Sequence, residues 1–196
     1  MIDAWKNKHV FKEQLLLNEK ELDGNYPPHW SIFIKLYNSI KHSSVLDIGC
    51  GAGVYYELFK RHFPDIQYTG VDYSEDAINL AKATWGDSKS FFTKDFWDFT
   101  EKDVIKYDNV LMGALLDVLP NGDEALSFIL SLRPNSLFVQ RMEITSDPSY
   151  TTEYKAYNKI TTYQYHHNIK VVESIVANNG YKIYSLGANN YYMDKL

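Results

Sequence analysis

The sequence predicts an α/β fold: a seven-stranded, mostly parallel sheet with helices on both faces, closed by a C-terminal antiparallel hairpin. Three observations predict it. Short apolar runs alternate with amphipathic stretches through the middle of the chain. Residues 45–53, Val-Leu-Asp-Ile-Gly-Cys-Gly-Ala-Gly, join a buried-type strand to a helix through glycines at every second position. The last two strands are separated only by Gly187-Ala188-Asn189, a hairpin connection, so one of them runs antiparallel.

Each element has its own warrant. Residues 5–20 read as a polar helix with Trp5, Phe11, Leu15 and Leu16 on one side, broken by Asp23-Gly24-Asn25. Pro27-Pro28 opens a second segment, with Ile32, Phe33, Leu36, Tyr37 and Ile40 at helical spacing over 30–40. Strand 44–48 leads to helix 53–63, whose Tyr55, Leu58, Phe59 and Phe63 follow the 3.6 period until Pro64. Strand 66–71 leads to helix 75–85, with Ser74 as N-cap and Ile78, Ala81 and Trp85 inward. Strand 90–93 precedes an aromatic and acidic connector. Strand 108–113 leads to a helix near 122–132, where Asn121 and Glu124 suggest a capping box and Pro134 a stop. Strand 136–142 follows, then a long loop or insertion over 144–167. Helix 168–179 has Asn168 as cap, Val171, Val172, Ile175 and Val176 inward, and Gly180 as stop. Strands 181–186 and 190–194 end the pattern.

Composition narrows the function. A length of 196 residues fits one domain with a sizeable core. A net charge of −5 gives no field for nucleic acid. No run of eighteen apolar residues suggests a membrane span, and the first residues lack the apolar stretch of a signal peptide. The single cysteine suits a reducing compartment, so a cytoplasmic location is expected. Nine of the sixteen tyrosines fall after residue 149. They either line a ring or sugar pocket or cover a thin core.

The glycine turn points to a ligand. Without Cβ atoms, glycines let a ligand approach the backbone closely. Asp47 sits near the carboxyl end of its strand, where α/β folds place their crevice. An acid there repels a phosphate and suits an ammonium group. The dinucleotide fingerprint Gly-x-Gly-x-x-Gly needs a glycine at position 54, where Val54 stands.

The string from Asp47 to Gly53 resembles motif I of the class I S-adenosylmethionine-dependent methyltransferases, whose fold is Rossmann-like. Residues 68–73, Tyr-Thr-Gly-Val-Asp-Tyr, resemble the family's second strand. That resemblance implies Asp72 on the two ribose hydroxyls, with Tyr73 beside it. Residues 91–96, Phe-Phe-Thr-Lys-Asp-Phe, resemble the third strand, with Asp95 accepting from the adenine amino group and Phe96 flanking the ring. Residues 107–120 resemble the fourth strand and the turn under the reacting methyl, which contains Gly113. The match covers roughly residues 43–142. It implies S-adenosylmethionine as cofactor, held by Asp47, Gly49, Cys50, Gly51, Gly53, Asp72, Tyr73, Asp95, Phe96 and Gly113. Cys50 reads as a packing or ligand-edge residue rather than a nucleophile. The expected organisation is a single domain, 1–196, with an N-terminal helical lid (1–42), a cofactor-binding core (43–142) and a substrate-side insertion (144–167).

The family's reaction is an in-line displacement at a sulfonium methyl, and a hydroxyl acceptor also needs a base. The candidates are Asp117, after the fourth strand, and His166 and His167 in the insertion. His29 in the lid and Glu143 after the fifth strand stand behind them. Adjacent histidines point different ways, so at most one faces the cleft, and their spacing is poor for a metal; no metal is expected. Gly113-Ala114-Leu115-Leu116 replaces the Asn-Pro-Pro-Tyr type of string that would suggest amide or base nitrogen methylation. The expected acceptor is a small molecule or a sugar hydroxyl. A peptide or protein acceptor, and a non-catalytic adenosylmethionine-binding protein, are the alternatives.

Overall fold

The computed structural model describes Trp5, residues 8–156 and residues 160–196. Two helices come first, α1 (Lys8–Asp23) and α2 (Pro28–Ser39). The core alternation follows as β1 (Ser44–Ile48), α3 (Val54–His62), β2 (Gln67–Asp72), α4 (Glu75–Trp85) and β3 (Phe91–Thr93). A 3-10 turn (Phe96–Asp98) and the short α5 (Glu101–Val104) lead to β4 (Asn109–Gly113), α6 (Gly122–Ser131) and β5 (Ser136–Gln140). Then come β6 (Glu143–Thr145), β7 (Tyr150–Ala156), β8 (Ile160–Asn168), α7 (Ile169–Asn178), β9 (Tyr181–Gly187) and β10 (Asn190–Lys195).

The main sheet has seven strands in the order β3-β2-β1-β4-β5-β10-β9. All adjacent pairs from β3 to β5 are parallel, and β10 is antiparallel to both neighbours. Strand alternation sends side chains to two cores. Leu46, Ile48, Val110, Met112, Leu137 and Val139 pack with Leu126, Ile129, Val172 and Val176 of α6 and α7. Val45, Leu111 and Phe138 pack on the opposite face with Phe33, Leu58, Phe59 and Ile78 of α2, α3 and α4. The parallel strands are apolar on both sides because both sides are covered.

Local signals are realised at most boundaries. Ser74 Oγ accepts from Ala77 N–H, and Asn168 Oδ1 accepts from the N–H groups of Lys170 and Val171. Three expectations need correction. The Asn121–Glu124 capping box does not form; the two side chains bond each other at 3.0 Å without capping the helix. Val171 is exposed, because α7 turns only Val172 and Val176 fully inward. The 144–167 segment is no loop: β6, β8 and β7 form a second, three-stranded sheet. β7 is mostly open to solvent, β6 and β8 are mostly half-buried, and none carries a clean apolar alternation. Their Thr and Tyr content was the available signal, since β-branched and aromatic residues suit a half-exposed pleated surface. Tyr157 lies outside the described residues.

Candidate active site

A cavity of about 670 Å³ opens at the carboxyl ends of β1, β2, β4 and β5, within the range of about 300–1,000 Å³ typical of small-ligand sites. Its floor is the glycine turn. Gly49, Gly51 and Gly53 have φ of 75°, 53° and 81°, a region that side chains avoid. The N–H groups of Gly49 and Cys50 donate to Val71 O at 2.8 and 3.1 Å, which fastens the turn to β2. Asp72, at the tip of β2, accepts from Gly51 N–H at 3.0 Å and Ser74 N–H at 2.9 Å, one on each oxygen. Burial raises its pKa; the Ser74 and Gly51 bonds oppose the rise and Asp95 adds to it.

Of the residues expected at the cofactor, Gly49, Gly51, Asp72, Tyr73, Asp95, Phe96 and Gly113 line the cavity. Asp95 also caps the 3-10 turn by accepting from Trp97 N–H at 3.1 Å. The structure does not bring Asp47, Cys50 and Gly53 to the wall. Asp47 shares the face of β1 that carries Val45 and is fully buried; its Oδ2 accepts from Tyr68 O–H at 2.6 Å, and its Oδ1 has no hydrogen bond. Burial pushes its pKa up to about 7. Cys50 is buried against Gly70, and burial, followed by Asp47 and Asp72, pushes its thiol far up, so it remains protonated. Gly53 has its place because a Cβ there would lie 2.7 Å from the Phe91 ring.

The other end of the cavity is lined by His29, Trp30, Tyr55, Arg141, Tyr154 and Tyr163, with Glu21 above them. Helix α1 covers the glycine turn: Gln14 Oε1 accepts from Ala52 N–H at 3.2 Å, and Phe11, Leu17 and Asn18 line the roof. Burial lowers the His29 pKa to about 4, and the nearby Arg141 charge adds to the shift, so the ring is neutral at pH 7. Gln140 fixes this corner. Its side-chain oxygen accepts from Tyr55 O–H, and its Nε2 donates to His29 O at 2.9 Å. Arg141 follows β5 with φ 61°, which ends the strand at Gln140 and turns the guanidinium to the cavity.

The three expected bases lie elsewhere. Asp117 is buried behind the cavity wall, with Oδ2 at 3.9 Å from Arg141 Nη2 and no hydrogen bond to Oδ1. Burial raises its pKa to about 6, against the pull of Arg141. His166 and His167 point to opposite faces of β8, as adjacent strand residues must, but neither lines the cavity. His166 stacks on Tyr150 at 4.4 Å and bonds Thr152 Oγ1 at 2.9 Å. His167 is buried, with Nδ1 at 2.7 Å from Asp123 Oδ1 and its ring edge against Tyr165. The reason is reach: β8 meets the cavity at Thr162 and Tyr163, and four residues of strand carry it about 13 Å further.

Arg141 was the residue sequence reasoning missed. Its signal was positional, a cation at the carboxyl end of a central strand, where the crevice of an open α/β sheet lies.

A family model described as "Methyltransferase domain" matches residues 46–138, from β1 through β5. That match takes in just under half of the chain and supports its likeness to the class I S-adenosylmethionine-dependent methyltransferases. Among curated proteins, this chain is 36% identical over 50 residues to a ubiquinone biosynthesis O-methyltransferase of Hydrogenovibrio crunogenus, covering 26% of this chain and 20% of that one. The chain matches less than a third of the length of the curated relatives found, 27% and 20%. The structure of Streptomyces venezuelae DesVI superposes with a TM-score of 0.67 at 13% identity, over 97% of this chain and 99% of that one. A sugar N-methyltransferase, KedS8 from Streptoalloteichus, gives 0.60 at 12% identity, over 91% of each chain. At such identities these two likenesses speak for the fold. The site fits the family's cofactor on its own geometry, with a Cβ-free turn that an extended ligand can touch and a carboxylate at the neighbouring strand tip. Among the described residues no cluster of three or more His, Cys, Asp or Glu could hold a metal ion, and no helix is long and apolar enough to cross a membrane.

Proposed function

We propose that the protein methylates a hydroxyl of a small molecule or sugar. The carrying observation is that one cavity joins the glycine turn and Asp72 to a covered, aromatic-walled chamber holding a neutral histidine. Bound S-adenosylmethionine supplies an electrophilic sulfonium methyl. Asp72 takes the two ribose hydroxyls: each oxygen spends one lone pair on a backbone N–H, and a carboxylate has about four such sites. Asp95 and Phe96 take the adenine. The α1 roof excludes water, and Tyr154 and Tyr163 flank the acceptor.

The base is His29. Its ring is inside the chamber, whereas His166 and His167 are outside it and Asp117 lies behind the wall. A hydroxyl becomes strongly acidic as its oxygen takes the methyl, so even a weak base suffices to receive the proton on an imidazole nitrogen. The net charge of −5 and the aromatic-walled chamber favour a small acceptor over a nucleic acid. The test is incubation with methyl-labelled donor and fractionated metabolites, glycans and proteins. Label in a small molecule as an alkali-stable methyl ether supports the proposal. Label only in amines or only in protein overturns it.

A further inference from the structure

The acceptor end of the cavity contains a cation, Arg141, which shares a side-chain hydrogen bond with Tyr154 and has no carboxylate hydrogen-bonded to it among the described residues. Arg141 is about half exposed, and its exposed part faces the chamber. Among the described residues the carboxylate at ion-pair distance from it is Asp117, whose Oδ2 is 3.9 Å away, beyond hydrogen bonding. Asp117 is walled off from the cavity, so it steadies the guanidinium from behind without covering its front. The groups that sense its charge come from every side: Glu21 on α1, His29 on α2, Tyr55 on α3, Asp117 after β4 and Tyr154 on β7. Arg141 is therefore the electrostatic centre of the chamber.

We infer that Arg141 is the anchor for a carboxylate carried by the acceptor, so that the substrate is a hydroxy acid held by its acid group beside His29. This rests on the methyl-transfer function proposed above. A guanidinium presents paired, coplanar N–H donors, the geometry a carboxylate matches. The charge count also favours a monoanion. Arg141 shares the cavity with Glu21, and Asp117 stands behind it. A monoanion brings one charge to the guanidinium, whereas a phosphate dianion would bring a second into the neighbourhood of Asp117 and Glu21. The walls from Trp30, Tyr154 and Tyr163 suit a flat or ring-bearing body.

The test uses benzoate, benzamide and phenyl phosphate as probes, titrated calorimetrically into the protein saturated with adenosylhomocysteine. Benzoate should bind at low millimolar concentration and at least about tenfold more tightly than its neutral isostere benzamide. Arg141→Gln should abolish that preference, and Arg141→Lys should retain part of it. Neither substitution adds a branched side chain at φ 61°, so both should fold, as circular dichroism will show. Equal binding of benzoate and benzamide, no benzoate binding at 10 mM, or a preference that survives Arg141→Gln would overturn the inference. Tighter binding of phenyl phosphate would overturn the assignment to a carboxylate. Failure of the unaltered protein to bind adenosylhomocysteine would instead overturn the proposed function beneath it.

Discussion

His167 Nδ1 lies 2.7 Å from Asp123 Oδ1, and the imidazole is wholly excluded from solvent. Asp123, in the first turn of α6, also accepts from Ser149 O–H at 2.7 Å and Tyr165 O–H at 2.9 Å. One carboxylate thus joins the second sheet to the main body. Asp123→Ala leaves His167 Nδ1 buried without this partner, and His167→Ala leaves Asp123 with only its Ser149 and Tyr165 bonds, so each should cost about 1–3 kcal/mol. Turnover per folded molecule should stay within a fewfold. Urea unfolding and activity measured on the same samples check this; a hundredfold loss of turnover at unchanged stability would return His167 to the chemistry. Burial tends to raise the Asp123 pKa, but the bonds from His167, Ser149 and Tyr165 outweigh it and leave it lowered. Its contribution is therefore complete above the usual carboxylate range and is lost as pH falls through the lowered folded value.

Asp72→Ala should weaken adenosylhomocysteine binding at least tenfold. Two charge-assisted bonds to ribose are lost, each worth about 1.5–3 kcal/mol, and the turn loses the Gly51 tether. Calorimetry reads the affinity and circular dichroism the fold. Unchanged affinity would mean that the ribose lies elsewhere.

Asp117→Asn should stabilise the protein at neutral pH. The folded pKa of about 6 exceeds the ordinary value of 3.8, so the ionised carboxylate is disfavoured by folding. At about 1.4 kcal/mol per pKa unit the penalty is about 3 kcal/mol at most. The gain over the unaltered protein should be absent below pH 4, grow as pH rises through the interval from 4 to 6, and level off above it. Denaturant midpoints at pH 4, 5, 6 and 7 test the shape; a gain that shrinks with rising pH would contradict it.

His29→Asn should lower turnover by about 10²–10⁴ while leaving adenosylhomocysteine affinity within twofold. Because the ring protonates only near pH 4, kcat/KM for the unaltered enzyme should be flat from pH 8 to about 5 on account of this group. An acid limb, with kcat/KM falling below a midpoint near 6.5, would show an ordinary, solvated histidine instead.

Gly53→Ala and Gly86→Ala separate strain from crowding. Both positions have positive φ, 81° and 70°. A Cβ at Gly53 would lie 2.7 Å from Phe91, whereas at Gly86 nothing lies within 4 Å. Gly86→Ala should cost about 1–2 kcal/mol for the left-handed backbone alone. Gly53→Ala should cost a further ~1–3 kcal/mol for overpacking. Thermal unfolding midpoints in the same order would confirm it; equal midpoints would refute it.

Sequence alone determined the main sheet, the glycine turn and the acid at the tip of β2. These are local: strand period, helix period, Ser74 and Asn168 caps, and glycines where φ must be positive are all written within a few neighbouring residues. The terminal hairpin was legible for the same reason, because three residues cannot carry a parallel crossover. Tertiary structure decided what faces the cavity. Alternation along β1 placed Asp47 on the Tyr68 side, away from the wall, although it is only two residues from Gly49. The length of β8 carried His166 and His167 past the chamber, and the turn after β5 brought in Arg141. Burial, which one chain position cannot reveal, made His29 neutral and kept Asp117 behind the wall. Which residues share a chamber depends on how distant segments dock, and docking is driven by non-directional apolar burial that leaves no local mark on the polar residues it brings together.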